Sequence, residues 1–162
     1  MPPAPAIPLG FGRQSSSPEP AQCPCGGGPY NRCCGPLIAG EQVAVTAQHL
    51  MRSRYSAFAL AARNPEAIEH LLRTHPEPGL TAAARRKALI ESCHTIQWSH
   101  LDVLDCQNGG PLDQHGTVTF AARWRDRDRR EGVLKECSRF GRGESGEWLY
   151  LEALSLDEGA AL

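Results

Sequence analysis

Apolar positions along the chain follow helical spacing up to about residue 94 and alternate with polar positions after it. Met51, Tyr55, Phe58, Ala59 and Ala62 recur at helical spacing and predict a first amphipathic helix, with Thr46 as its N-cap. Asn64-Pro65-Glu66 starts a second, combining a cap, a proline at the first helical position and an acid at the positive end of the dipole. That helix buries Ile68, Leu71 and Leu72 and stops before His75-Pro76. Thr81 caps a third, Ala-rich helix reaching Cys93, with Leu89 and Ile90 on its inner face. Four alternating stretches follow, near 95–105, 116–125, 131–141 and 147–154. In the second, Val118, Phe120, Ala122 and Trp124 face one way, and Thr117, Thr119, Ala121 and Arg123 the other. Three N-terminal helices followed by four strands imply an α+β domain in which a curved antiparallel sheet packs around the helical layer.

The rest of the chain is organised around that domain, expected over 44–155. Residues 1–21, rich in Pro and Ser, predict a disordered tail, and 156–162 a flexible C-terminus. Residues 22–43 hold four cysteines among glycines and prolines, too few apolar side chains for a core of their own. The formal net charge of −1 excludes an overall field drawing the chain to nucleic acid or an anionic membrane. No segment reaches the roughly 18 apolar residues of a membrane span, and the N-terminus lacks the pattern of a secretion signal. A cytoplasmic location is therefore expected. Seven cysteines, an odd number, in a reducing compartment point to metal ligation or buried thiols rather than disulfides.

Cys23 and Cys25, separated by Pro24, can reach one metal from a tight turn. Gly26-Gly27-Gly28 lets the chain reverse so that Cys33 and Cys34 close a tetrahedron. Zinc is the expected cofactor, with iron as the alternative at the same thiolates. The other readings are strained disulfides, free thiols, or three of these cysteines with another ligand. Cys93, Cys106 and Cys137 lack ligand spacing and are expected to be buried thiols.

The C-P-C-G-x-G…C-C run resembles the SEC-C motif, named for the C-terminal zinc tail of the SecA translocation ATPase. His49-Leu50-Met51-Arg52-Ser53-Arg54-Tyr55-Ser56-Ala57-Phe58 is similar to the H-L-M-R-S-R-Y-x-A-F signature of the YchJ-like bacterial proteins, a family without an established activity. His75-Pro76, Gln97-Trp98, Glu136 with Ser138-Arg139-Phe140, and Trp148-Leu149-Tyr150 follow in the family's order. The resemblance implies a SEC-C segment followed by a cone-shaped domain of the nuclear transport factor 2-like fold, and a metal-bound knuckle that docks onto a protein partner. Gly28-Pro29-Tyr30 stands where members usually carry a lysine, so part of a basic contact surface is missing. Thr74 replaces a common Trp.

A cone fold can enclose a pocket. If Leu134 and Phe140 face inward, Glu136 and Ser138 do too. A carboxylate on an apolar face needs a partner, and Arg52 or Arg54 on the first helix could reach Glu136. Glu136, Arg54, Tyr55 and His75 are thus the pocket candidates, for anion binding or acid–base chemistry. The plainer reading of the same residues is a buried Arg–Glu pair tying helix to sheet. Arg123 to Arg130, basic but broken by Asp126 and Asp128, predicts a solvated hairpin, and nucleic acid is not an expected partner. His70, close to a helix end, suits the dipole. A closed four-ligand metal leaves no position for a catalytic water. The sequence accordingly favours a non-catalytic accessory protein docking through its knuckle, ahead of a small-molecule enzyme or binder and of a metal-handling role. It sets no oligomeric state.

Overall fold

The computed structural model describes residues 19–160; residues 1–18 of the expected 1–21 tail and the final two residues lie outside it. A 3-10 turn at Tyr30–Arg32 and a one-turn helix α1 (Gly35–Ile38) precede the three expected helices, α2 (Ala47–Leu60), α3 (Pro65–Arg73) and α4 (Ala82–Cys93). Strands β1 (Ile96–Asn108), β2 (His115–Asp126), β3 (Glu131–Arg142) and β4 (Trp148–Ala160) form one antiparallel sheet in sequential order. All three predicted caps are made: Thr46 accepts from the His49 amide, Asn64 from that of Glu66 and Thr81 from that of Ala84.

Register shifts in β1 at Trp98/His100 and Val103/Asp105, and between β3 and β4 at Cys137/Ser138 and Arg139/Phe140, mark bulges. Bulges bend a strand and increase its twist, which curls this sheet around the helices. The β1–β2 hairpin is fixed onto the start of α2, where the Ala47 amide donates to the Gly109 carbonyl at 2.9 Å. Gly116 is required there, since a Cβ on it would lie 2.4 Å from the Gly109 Cα. The Asp126–Arg130 turn is the solvated hairpin expected, with Asp126 accepting from the Asp128 and Arg130 amides.

Four expectations are corrected. Residues 156–160 are not a free tail but pair with β3 from Glu136 to Gly132, because β3 offers a full row of backbone groups to its neighbour. Helix α2 is not a one-stripe helix: Leu50, Ser53, Ser56 and Ala57 are buried on the side away from Met51 and Tyr55, while Ala62 is exposed. Ile90 is 41 % exposed and Leu89 alone of that pair turns inward. Cys106 is exposed and Cys137 only half-buried; Cys93 is the one buried thiol of the three.

Burial on both sides of α2 has a definite cause. Leu37, Ile38 and Tyr30 of the cysteine-bearing segment belong to the same core cluster as Leu50, Leu71 and Phe140. Arg73 of α3 clasps α1, donating to the Leu37 and Ile38 carbonyls at 2.7 and 3.2 Å. The small side chains Ser53, Ser56 and Ala57 let the knuckle approach α2 closely. Knuckle and cone therefore share one core.

Candidate metal centre and ligand cavity

The ligating atoms of Cys23, Cys25, Cys33 and Cys34 lie within 4.8 Å of one another, in a group that could hold a metal ion. Tetrahedral metal–thiolate bonds of about 2.3 Å place sulfurs about 3.8 Å apart. The Cys25–Cys33 and Cys33–Cys34 sulfur separations of 3.4 and 3.9 Å fit that spacing. All seven cysteines are free thiols, so the disulfide reading fails among the described residues. Gly26 and Gly28 adopt φ of +80° and +117°, and a Cβ on Gly27 would lie 2.8 Å from the Cys33 Sγ. Only glycine fits this turn.

The four thiols cannot all ionise on their own. Hydrogen bonds from Cys23 and Cys34 hold Cys25 well below the ordinary thiol range. Burial pushes Cys33 up to about 12, and hydrogen bonds with Cys23 and Cys25 raise Cys34. A cation bound among them would supply the missing charge and displace protons. The buried Ser56 hydroxyl lies 3.4 Å from the Cys23 Sγ, and Arg52 donates to the Cys25 carbonyl at 3.0 Å, so α2 forms the outer shell of the centre.

The opposite side of α2 faces a cavity of about 680 Å³ between the helices and the concave sheet. Its walls are largely apolar and aromatic, including Met51, Phe58, Leu71, Trp98, Phe120 and Phe140. Polar groups converge in one corner. Glu136 Oε1 accepts from the Tyr150 hydroxyl at 2.6 Å and the Ser138 hydroxyl at 3.0 Å. Arg54 Nη1 donates to the Leu71 carbonyl at 3.0 Å and Thr74 Oγ1 at 2.6 Å, and its Cζ lies 4.9 Å from the Tyr150 ring centre. Burial lowers the guanidinium to about 10, which leaves it charged at neutral pH. Burial also raises the Tyr55 and Tyr150 phenols, Tyr55 to about 12.

The family model for the YchJ middle NTF2-like domain matches residues 46–153. The chain belongs to the YchJ-like family. Its relatives include the UPF0225 protein of Ralstonia nicotianae, 41 % identical over 149 residues that cover 86 % of this chain and 96 % of the relative. The UPF0225 protein of Streptomyces avermitilis is 40 % identical over 142 residues, covering 86 % and 89 %. Among solved structures, a SEC-C motif containing protein from Rhodopseudomonas palustris matches with a TM-score of 0.67 and 30 % identity, over 84 % of this chain and 99 % of that one.

In this YchJ-like chain the four candidate cysteines come together, and so do Arg54, Tyr55, His75 and Glu136 around the cavity. The expected Arg–Glu pair does not form. Arg52 is turned toward the knuckle, and Arg54 reaches Thr74 and the face of Tyr150 while Glu136 is satisfied by hydroxyls. His75 sits at the rim, its Nδ1 bonding the Tyr150 carbonyl at 2.9 Å and its Nε2 lying 3.3 Å from Glu77. His70 is not a dipole partner in solvent. It is buried, held at 2.8 Å by Ser53 and 2.9 Å by Arg73, and burial pulls it down to about 3, so the ring is neutral.

Tyr150 is the functional residue that residue-by-residue reading missed. Its signal was the alternation of Trp148 and Tyr150 on β4, which sets Tyr150 against inward-facing Phe140 in the β3–β4 register. Tyr30, in the loop read as a partly lost contact surface, is 3 % exposed and fills the knuckle's interior. Among the described residues no helix is long and apolar enough to cross a membrane.

Proposed function

We propose that this YchJ-like chain is a small-molecule-binding protein, with the cone cavity as its binding site and a zinc-bound knuckle as the brace of the helix that lines it. The observation that carries this reading is the converging polar corner in a cavity of about 680 Å³, apolar elsewhere. That combination is the usual build of a ligand site. The order of readings drawn from the sequence is thereby reversed. Three of the four cysteines are buried against the knuckle's own interior and α2, which suits a metal that fixes structure. Docking to a protein partner would be left to the exposed residues Gly26, Gly27, Pro29, Asn31 and Arg32.

Ala84, Ala88 and Leu80 are exposed and also line the cavity, which places its mouth along α4. Denaturing the purified, metal-loaded protein and analysing the released fraction by mass spectrometry should find a bound organic molecule. Ala88→Trp, at the mouth, should abolish both that molecule and the uptake of the uncharged dye Nile red, with stability changed by less than about 0.5 kcal/mol. Unaltered dye uptake in this variant, with nothing released from the wild type, would overturn the proposal. Glu136 Oε2 has no partner among the described residues, which favours acid–base chemistry on the bound molecule as the second reading. Glu136→Gln should then retain the ligand and lose turnover.

A further inference from the structure

Arg54 is 8 % exposed and uses a single nitrogen in protein hydrogen bonds, Nη1. No described residue bonds Nη2 or Nε, and no described carboxylate pairs with the guanidinium. Most of Arg54 is withdrawn from water, which is costly for a cation unless something compensates it, and the nearby Glu136 supplies part of that compensation. The guanidinium Cζ lies over the Tyr150 and Phe58 rings, 4.9 and 5.9 Å from their centres. Its free edge is the part left for a ligand.

The charges nearby narrow the ligand further. Arg85 and Glu77 pair with each other at 3.0 Å, and His75 also faces Glu77. They cancel at the rim. Glu136 binds the hydroxyl end of the Tyr150 ring while the Arg54 Cζ lies over its face, so the two charges make no direct contact and act on each other past the ring. Arg54 is left to attract a negative group, and Glu136 disfavours a second one. A guanidinium edge matches a planar two-oxygen anion better than any other small group. The apolar walls call for a hydrocarbon body.

We propose that the cavity takes an apolar organic monocarboxylate, its two oxygens on the free Nη2–Nε edge of Arg54 and its body among Phe58, Leu71, Trp98 and Phe120. This rests on the cavity being a binding site and adds the chemical class of what it binds. Thr74 is part of the device: it donates to the His70 carbonyl at 2.6 Å, which aims its oxygen at Arg54 Nη1 and fixes the guanidinium with the other edge free.

Calorimetric titration of the full-length, metal-loaded protein with octanoate, octan-1-ol and octylamine tests both levels. Octanoate should bind at least about tenfold tighter than octanol, the range expected of a charge-assisted hydrogen-bonded pair. Arg54→Met should remove that preference, with octanoate affinity falling to about that of octanol. Should that variant fail to fold, Arg54→Lys keeps the charge without the fork and should reduce the preference several-fold. Glu136→Gln should tighten octanoate and weaken octylamine. Equal binding of octanoate and octanol, or tighter binding of octylamine, overturns the carboxylate assignment while the cavity stands as a site. Failure of all three to bind overturns the cavity reading as well.

Discussion

Helix α2 divides the molecule into two sides that treat their polar groups differently. Toward the knuckle, Ser53 donates to the Leu50 carbonyl and meets His70, Ser56 meets Cys23, and Arg52 caps the Cys25 carbonyl. Toward the sheet, Arg54 and Glu136 each keep polar atoms with no described partner, and no described residue bonds the Tyr55 hydroxyl. The first side is filled with internal bonds, as a structural centre needs. The second leaves its polar atoms open toward the cavity. The SEC-C segment and the cone thus divide their tasks: the segment fixes α2, and α2 presents Arg54 and Tyr55 to the cavity.

The largest effect should come from breaking the closed side. Cys34 is completely buried, and its knuckle shares the core of the cone. Cys34→Ser, or removal of the metal by a chelator, should destabilise the whole chain by about 4 kcal/mol or more. Thermal unfolding followed by the fluorescence of Trp98, Trp124 and Trp148, far along the sequence from the cysteines, reads that effect. An unchanged melting temperature there would mean that the two sides are independent, and the comparison would be broken.

Acid should strike the same side next. His70 has its folded pKa lowered from 6.5 to about 3 by burial, with Arg73 and Arg54 adding to the shift. The unfolded chain then binds a proton that the folded one refuses. The stability contributed by neutral His70 is complete above pH 6.5 and is lost as pH falls from there toward 3. The loss should be on the order of a few kcal/mol. Denaturant titrations between pH 7 and 4 should show a steeper fall for the wild type than for His70→Gln, which keeps hydrogen-bonding capacity without the titration. Parallel slopes would place acid sensitivity in the cysteine cluster instead.

A smaller change separates holding the metal from holding the fold. Ser56→Ala removes the hydroxyl next to Cys23 while keeping the close approach of knuckle to helix. It should cost about 1 kcal/mol in stability and roughly tenfold in metal affinity, measured by competition with a coloured chelator. Loss of stability without loss of affinity would make Ser56 a packing residue only.

How legible each side was in the sequence follows from the range of its interactions. The caps at Thr46, Asn64 and Thr81 are read from within a few residues and are made as expected, and the four cysteines, equally local, converge on one point. Alternation in β2 and β3 was enough to turn Val118, Glu136 and Ser138 inward. The pairing of those inward groups was not legible. Arg54 finds Thr74 twenty residues away, and Glu136 finds Tyr150 across a strand pair whose bulge shifts the register. The second buried side of α2 was hidden because serines there resemble a solvated face until the knuckle is placed against them.

The smallest expected effect tests whether the open side is also the mobile one. In α4 only Cys93 is buried, and the helix is held to α3 and its loop by Arg86–Glu69 and Arg85–Glu77 pairs. Exposed pairs of this kind add little to stability. A helix anchored that lightly opens at a fraction of the global unfolding free energy, whereas α2, buried on both sides, opens only with the whole fold. Hydrogen exchange should therefore show the amides of Ala84 to Glu91 exchanging well before those of Leu50 to Ala57. Saturating octanoate should slow the α4 amides selectively, because a molecule in the cavity packs against Ala84, Ala88 and Leu89 and must wait for α4 to open. Equal protection of the two helices would mean that α4 seals the cavity as firmly as the knuckle seals the metal, and ligand entry would then need a path other than along α4.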